Sequence, residues 1–127
     1  MTVFVTDGAP VPTLPSGHRF PAGKYALLRA RIEAEGVLTH RELVEATPAT
    51  REQLLTAHDA EYVDAILSGS IDAARMRRIG LPWSPGLVAR ARASVGAQLQ
   101  AARAALADGV SGAKANSAGS TSSSAAR

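Results

Sequence analysis

The chain of 127 residues contains no cysteine. A disulfide framework, a thiolate nucleophile and a Cys-ligated zinc or iron–sulfur centre are therefore all excluded, and the composition fits a reducing compartment. Aromatic residues are scarce, at 4%, with one Trp, two Tyr and two Phe. No apolar run exceeds a handful of residues, and the first twenty lack a basic start followed by an apolar block. Neither a membrane span nor a secretory signal is expected, and the reading is cytoplasmic. The length suits one modest domain and is too short for two.

Charge of one sign is also nearly absent. The formal net charge is +3, but Lys114 and Arg127 supply two of the fourteen basic residues, which leaves twelve against eleven acids over residues 1–112. One local bias remains: six Arg (Arg75, Arg77, Arg78, Arg90, Arg92, Arg103) and no acid lie between Asp72 and Asp108. Without interleaved aromatics or a reading motif, a nucleic-acid partner is disfavoured, and a solvated or subunit-facing basic surface is the simpler expectation.

What is present is mostly helical. Thr2–Thr6 is short, β-branched and aromatic and is bounded by Asp7-Gly8, the signature of a buried strand and a turn. It is the only strand expected. Pro10, Pro12, Pro15 and Pro21 keep the next stretch out of helix and sheet. A helix is predicted from about Pro21 to Glu35, with Tyr25, Leu28 and Ile32 as its buried stripe and Gly36 past its end. Thr50-Arg51-Glu52-Gln53 reads as a capping box, Asp59 as the cap of a segment that Gly69 stops, and Ser70 as the cap of a helix from Ile71 to Ile79. Ser84, with Pro85 behind it, opens a long helix to Ala107, on which Val88, Ala91, Val95, Leu99, Ala102 and Leu106 are expected to face a flat neighbour. From Ser111 to Arg127 no large apolar side chain occurs, and disorder is expected. The domain boundaries expected are thus 1–110 and 111–127.

Little chemistry is legible from spacing. His18, His40 and His58 stand in no close metal-ligand pattern. No GxSxG context and no phosphate loop in strand-loop-helix order occurs.

Three blocks carry more. Gly17-His18-Arg19-Phe20-Pro21 with Lys24-Tyr25, then Leu54-Leu55 with His58, Tyr62 and Val63, then Arg78-Ile79-Gly80-Leu81-Pro82-Trp83-Ser84-Pro85 follow one another over residues 12–110. In this order and spacing they resemble the N-terminal third of the histone deacetylase superfamily, most nearly its bacterial members related to the class IV deacetylases. The resemblance implies an α/β fold, the N-terminal part of an arginase- or deacetylase-like three-layer architecture, incomplete here, with Thr2–Thr6 as its one strand. In complete members zinc is held by two Asp and one His, and a pair of adjacent His assists attack of water on an acyl-lysine or acyl-amine amide.

The first of those landmarks, a Gly-Gly-x-His-His block after the long helix, is replaced here by Gly112 to Ser120. The resemblance therefore implies no catalytic residue, no metal ligand and no cofactor in this chain, with zinc and substrate belonging to the complete family. By the same resemblance, His18, Phe20, Pro82 and Trp83 sit on loops near the substrate entrance. Truncation or a frame change near Ser111 is expected. So is a Thr2–Thr6 strand that lacks partners and promotes self-association, because unpaired strand edges are adhesive. The competing reading is a noncatalytic helical interaction module with a basic face.

Overall fold

The computed structural model describes residues 1–21 and 23–114. Strand β1 (Thr2–Val5) leads through a long loop to helix α1 (Lys24–Ala34), then to a 3-10 turn at His40–Glu42 and strand β2 (Leu43–Glu45). Helices α2 (Arg51–Leu55), α3 (Ala60–Ser68), α4 (Ala73–Ile79) and α5 (Pro85–Asp108) follow, and the described chain closes with strand β3 (Ser111–Lys114).

The strand expected to stand alone is the centre of a three-stranded parallel sheet of order β2-β1-β3. Val3, Phe4 and Val5 pair with Leu43, Val44 and Glu45 on one side, and Thr2 to Val5 pair with Ser111 to Lys114 on the other. Both corrections have physical causes. β2 is three residues long with only Leu43 buried, too short to show alternation. β3 reads Ser-Gly-Ala-Lys, a poor strand by propensity, and is a strand because β1 and α5 offer it partners. The disorder expected from Ser111 therefore does not begin there, and the part of that expectation covering 115–127 lies outside the described residues. Since β1 is central, it presents no open edge, and the self-association argued from Thr2–Thr6 loses its basis.

Side chains alternate across β1 as the pleat requires. Phe4 packs with Ala46, Ala97 and Ala101 under α5, while Val3 and Val5 pack with Leu43 and Leu38 on the opposite face. The buried face of α5 is Val88, Arg90, Ala93, Gly96, Ala97, Ala101 and Ala105. Of the stripe expected from the sequence only Val88 is among them; Val95 is 38% exposed and Leu106 87%. Small residues won over large ones because α5 lies close against the sheet and against residues 47–49, which leaves room for little more than a methyl group. A Cβ on Gly96 would overlap the Thr47 carbonyl oxygen and lie 2.9 Å from the Ala49 nitrogen.

The local signals mostly mark true boundaries. The Thr50/Gln53 capping box forms reciprocally, with Gln53 N–H donating to Thr50 Oγ at 3.1 Å and Thr50 N–H donating to Gln53 Oε1 at 2.9 Å. Ser84 Oγ accepts from Leu87 N at 3.0 Å, and Gly69 and Gly80 end α3 and α4 in the left-handed region. Two expectations shift. α4 is capped by Asp72, whose carboxylate accepts from Arg75 N at 2.8 Å, and not by Ser70. α1 begins at Lys24 and buries only Tyr25 fully, with Leu28 48% exposed. No helix among the described residues is long and apolar enough to cross a membrane.

Candidate functional site

The loop leaving the carboxyl end of β1 builds one wall of a cleft. This is the end of a parallel sheet at which open α/β proteins usually place ligands. Gly17 takes φ +79°, in the left-handed region, and turns the chain ahead of His18. Phe20 N–H donates to His18 Nδ1 at 3.1 Å. With Nδ1 an acceptor, Nε2 carries the proton and donates to the Gly80 carbonyl at 3.3 Å. One imidazole thus joins the first block to the third, 62 residues later.

The resulting cleft has a volume of about 810 Å³. His18, Phe20 and Pro21 form one wall, Ile79 to Leu81 another, and the α5 residues Leu87, Arg90, Ala91, Ser94, Val95 and Gln98 its floor. Trp83 does not reach it. Its indole N–H donates to the Ile66 carbonyl at 2.8 Å, and its ring covers Gly69. It lines instead a neighbouring apolar groove of about 290 Å³ with Leu54, His58, Tyr62 and Met76. Leu81, Leu87 and Val95 separate and line both. Pro82 is exposed and lines neither. Of the four residues placed near the entrance by resemblance, the fold brings together His18 and Phe20, and sets Trp83 behind them as a brace between α3 and α5.

Arg90 is the residue the sequence reading misplaced. Counted there among surface charges, it is only 5% exposed. Its Nε donates to the Pro10 carbonyl at 2.9 Å and its Nη2 to the Ala9 carbonyl at 2.7 Å, while the guanidinium lies 4.3 Å above the Tyr25 ring. Among the described residues its Nη1 is buried without a hydrogen-bond partner. Burial pushes the Tyr25 hydroxyl above its ordinary value, opposed by the Arg90 charge. The signal that could have found Arg90 is spacing, since 90, 93, 97, 101 and 105 share one helical face. Arg92 is likewise consumed internally, donating to the Ala49 carbonyl at 2.9 Å, and Arg75 is held by Glu61 and Asp72. The expected basic face is reduced to Arg77, Arg78 and Arg103, all exposed.

No group of three His, Cys, Asp or Glu that could hold a metal occurs among the described residues. The three imidazoles are dispersed: His18 is on Gly80, His40 is 4.0 Å from Glu33, and His58 lies tilted against Tyr62 with centroids 5.7 Å apart. Zinc does not fit these residues.

A three-stranded parallel sheet covered by a long small-residue helix, with a cleft beyond the carboxyl end of its central strand, defines a mixed α/β protein. Its sequence matches the histone deacetylase domain over residues 18–121. It is also 35% identical over 111 residues to an uncharacterized protein of Picosynechococcus. That match takes in 87% of this chain and 36% of the relative, so the chain spans about a third of the relative's length. The chain belongs to the histone deacetylase family.

Proposed function

We propose that this chain contributes the first sheet strands and one side of the substrate cleft to a zinc-dependent hydrolase of acyl-lysine or acyl-amine amides. In this reading residues 1–127 do not catalyse by themselves. The observation that carries it is the His18 bridge to Gly80, which fastens two family blocks into one continuous wall at the carboxyl end of β1. The residues on that wall bind and orient. His18 is committed to holding two loops, which leaves its imidazole no lone pair for a substrate proton. Phe20 and Leu81 offer apolar surface to an alkyl chain, and Arg90 fixes the loop that carries the wall. The activating metal and the groups that would coordinate it have no fit here, so they belong to sequence other than the described residues. A cytoplasmic location is part of the same proposal.

The test is hydrolysis of acetyl-lysine peptides by the purified 127-residue chain with zinc added. No turnover above background is expected, because no ligand set exists among the described residues to bring the pKa of a bound water toward about 7. Turnover that a chelator abolishes would overturn the reading.

A further inference from the structure

The His18 imidazole holds the cleft wall in one protonation state only. Its Nδ1 accepts from the Phe20 amide at 3.1 Å, so that nitrogen must keep its lone pair, and Nε2 then donates to the Gly80 carbonyl at 3.3 Å. A second proton would enter at Nδ1, because Nε2 already carries one. The imidazolium would set its new N–H against the Phe20 N–H, two donors with no acceptor between them, while its Nε2–H still fitted Gly80. The two ends of one ring therefore respond differently to acid.

The surroundings offer a closed imidazolium no compensation. The titratable and charged groups that line the cleft with His18 are Arg19 on its own loop, Lys24 and Tyr25 on α1, and Arg90 on α5; the Ile79 to Leu81 wall brings none, and no Asp or Glu lines the cleft among the described residues. Tyr25 stays neutral, because burial raises its hydroxyl above the ordinary value. The loop can yield locally. His18 N–H on the Pro15 carbonyl at 3.1 Å closes one turn, Lys24 N–H on the Pro21 carbonyl at 3.1 Å closes the next, and Arg19 and Phe20 lie between the two. His18 and Phe20 are half-buried, so solvent protons reach the ring.

We infer that His18 is a proton-operated latch on this wall: neutral, it holds Phe20 in place, and protonated, it releases Phe20 while staying on Gly80. The closed loop binds one proton fewer at this ring than the open loop, so opening is favoured as pH falls through the range in which imidazoles titrate, about pH 8 to 5. What swings is the aromatic ring of the first block, whose centroid lies 5.0 Å from Lys24 Nζ, and what stays is the tether to the third block. The cleft thus loses the Phe20 side of its wall in acid and regains it in neutral solution. The inference rests on the loop geometry and is independent of the hydrolase reading.

The experiment is NMR spectroscopy of the full 127-residue chain, labelled with nitrogen-15, from about pH 8 to about pH 5. Exchange of the Phe20 amide with water, divided by the rate of an unstructured chain at each pH, is followed together with the ring nitrogens of His18, His40 and His58. Phe20 protection is expected to fall at least about tenfold, with the midpoint of His18 and not of the other two imidazoles. In His18→Asn the side-chain oxygen can accept from the Phe20 amide but takes up no proton in this range, and protection is expected to change by less than about twofold. Protection that stays constant in the parent chain, that follows His40 or His58, or that still falls in His18→Asn overturns the inference.

Discussion

Gly96→Ala is the sharpest test of how α5 meets the rest of the molecule. In an isolated helix the change would stabilise, since Ala is favoured over Gly by about 1 kcal/mol. Here the new methyl would overlap the Thr47 carbonyl oxygen and stand 3.0 Å from the Thr47 carbonyl carbon. Those atoms are backbone and cannot rotate away. Restoring ordinary contact requires the helix and residues 47–49 to separate by roughly 1.5 Å. Three hydrogen bonds cross that gap: Ala49 N–H to the Arg92 carbonyl at 2.9 Å, Arg92 Nε to the Ala49 carbonyl at 2.9 Å, and Thr47 N–H to Gln100 Oε1 at 2.7 Å. Overpacking costs about 1–3 kcal/mol. Weakening three bonds worth about 1 kcal/mol each, without breaking them, adds roughly 2 kcal/mol in total. After the helix-propensity gain, the net destabilisation is about 2–4 kcal/mol. In urea this lowers the unfolding midpoint by roughly 1–2 M, read by far-UV circular dichroism and by Trp83 fluorescence. Gly86→Ala is the control on the same helix, where the added methyl would meet Pro10 Cβ at an ordinary 3.5 Å. It is expected to be neutral or mildly stabilising. A Gly96→Ala chain as stable as the parent would refute the close approach of α5 to residues 47–49.

Three further outcomes are expected. Thr50→Ala removes the acceptor for Gln53 N–H and should cost about 1 kcal/mol, measured by the same urea titration. Arg90→Met leaves the Ala9 and Pro10 carbonyls without their charged donor and should destabilise by about 3 kcal/mol; stability equal to the parent would mean that the loop after β1 is held by other contacts. Acid should also weaken the fold. Arg75 holds the Glu61 and Asp72 carboxyls below their ordinary values of 4.5 and 3.8, and Arg51 does the same to Asp64. Depressed carboxylate values mean stability that is present above the ordinary value and lost as pH falls through the folded one. The urea midpoint should therefore drop below about pH 4, by a small amount because these groups are exposed, and added salt should reduce the drop.

Much of the local grammar was legible. Thr50 and Ser84 cap helix starts, Asp59 stands at the start of α3 without a side-chain capping bond, and Gly69 and Gly80 mark helix ends, because caps and left-handed turns depend on the few residues around them. The sheet was only one third legible. Leu43–Glu45 and Ser111–Lys114 are strands by virtue of what lies beside them, and neither alternation nor propensity announces them. The face of α5 was misread for a related reason. Hydrophobic size was weighted over closeness of approach, so Val95 and Leu106 were preferred to Gly96 and Ala97, which do the packing. At the cleft, the blocks around His18 and Gly80 could be recognised as a pair, but their direct bond and the burial of Arg90 depend on contacts across 62 and about 80 residues.

The central place of β1 has a consequence for the order in which the chain acquires structure. During synthesis the first strand emerges before either of its neighbours. Its partners at Leu43–Glu45 come about forty residues later, and those at Ser111–Lys114 more than a hundred. Loop-closure entropy makes the nearer pairing the earlier one, so a β1-α1-β2 unit forms while the other flank of β1 waits. Throughout that interval the amide and carbonyl groups that later meet β3 are available to any extended segment nearby. The chain is then most vulnerable to mispairing as a nascent polypeptide, and that exposure ends when α5 settles on Phe4 and carries Ser111–Lys114 into register.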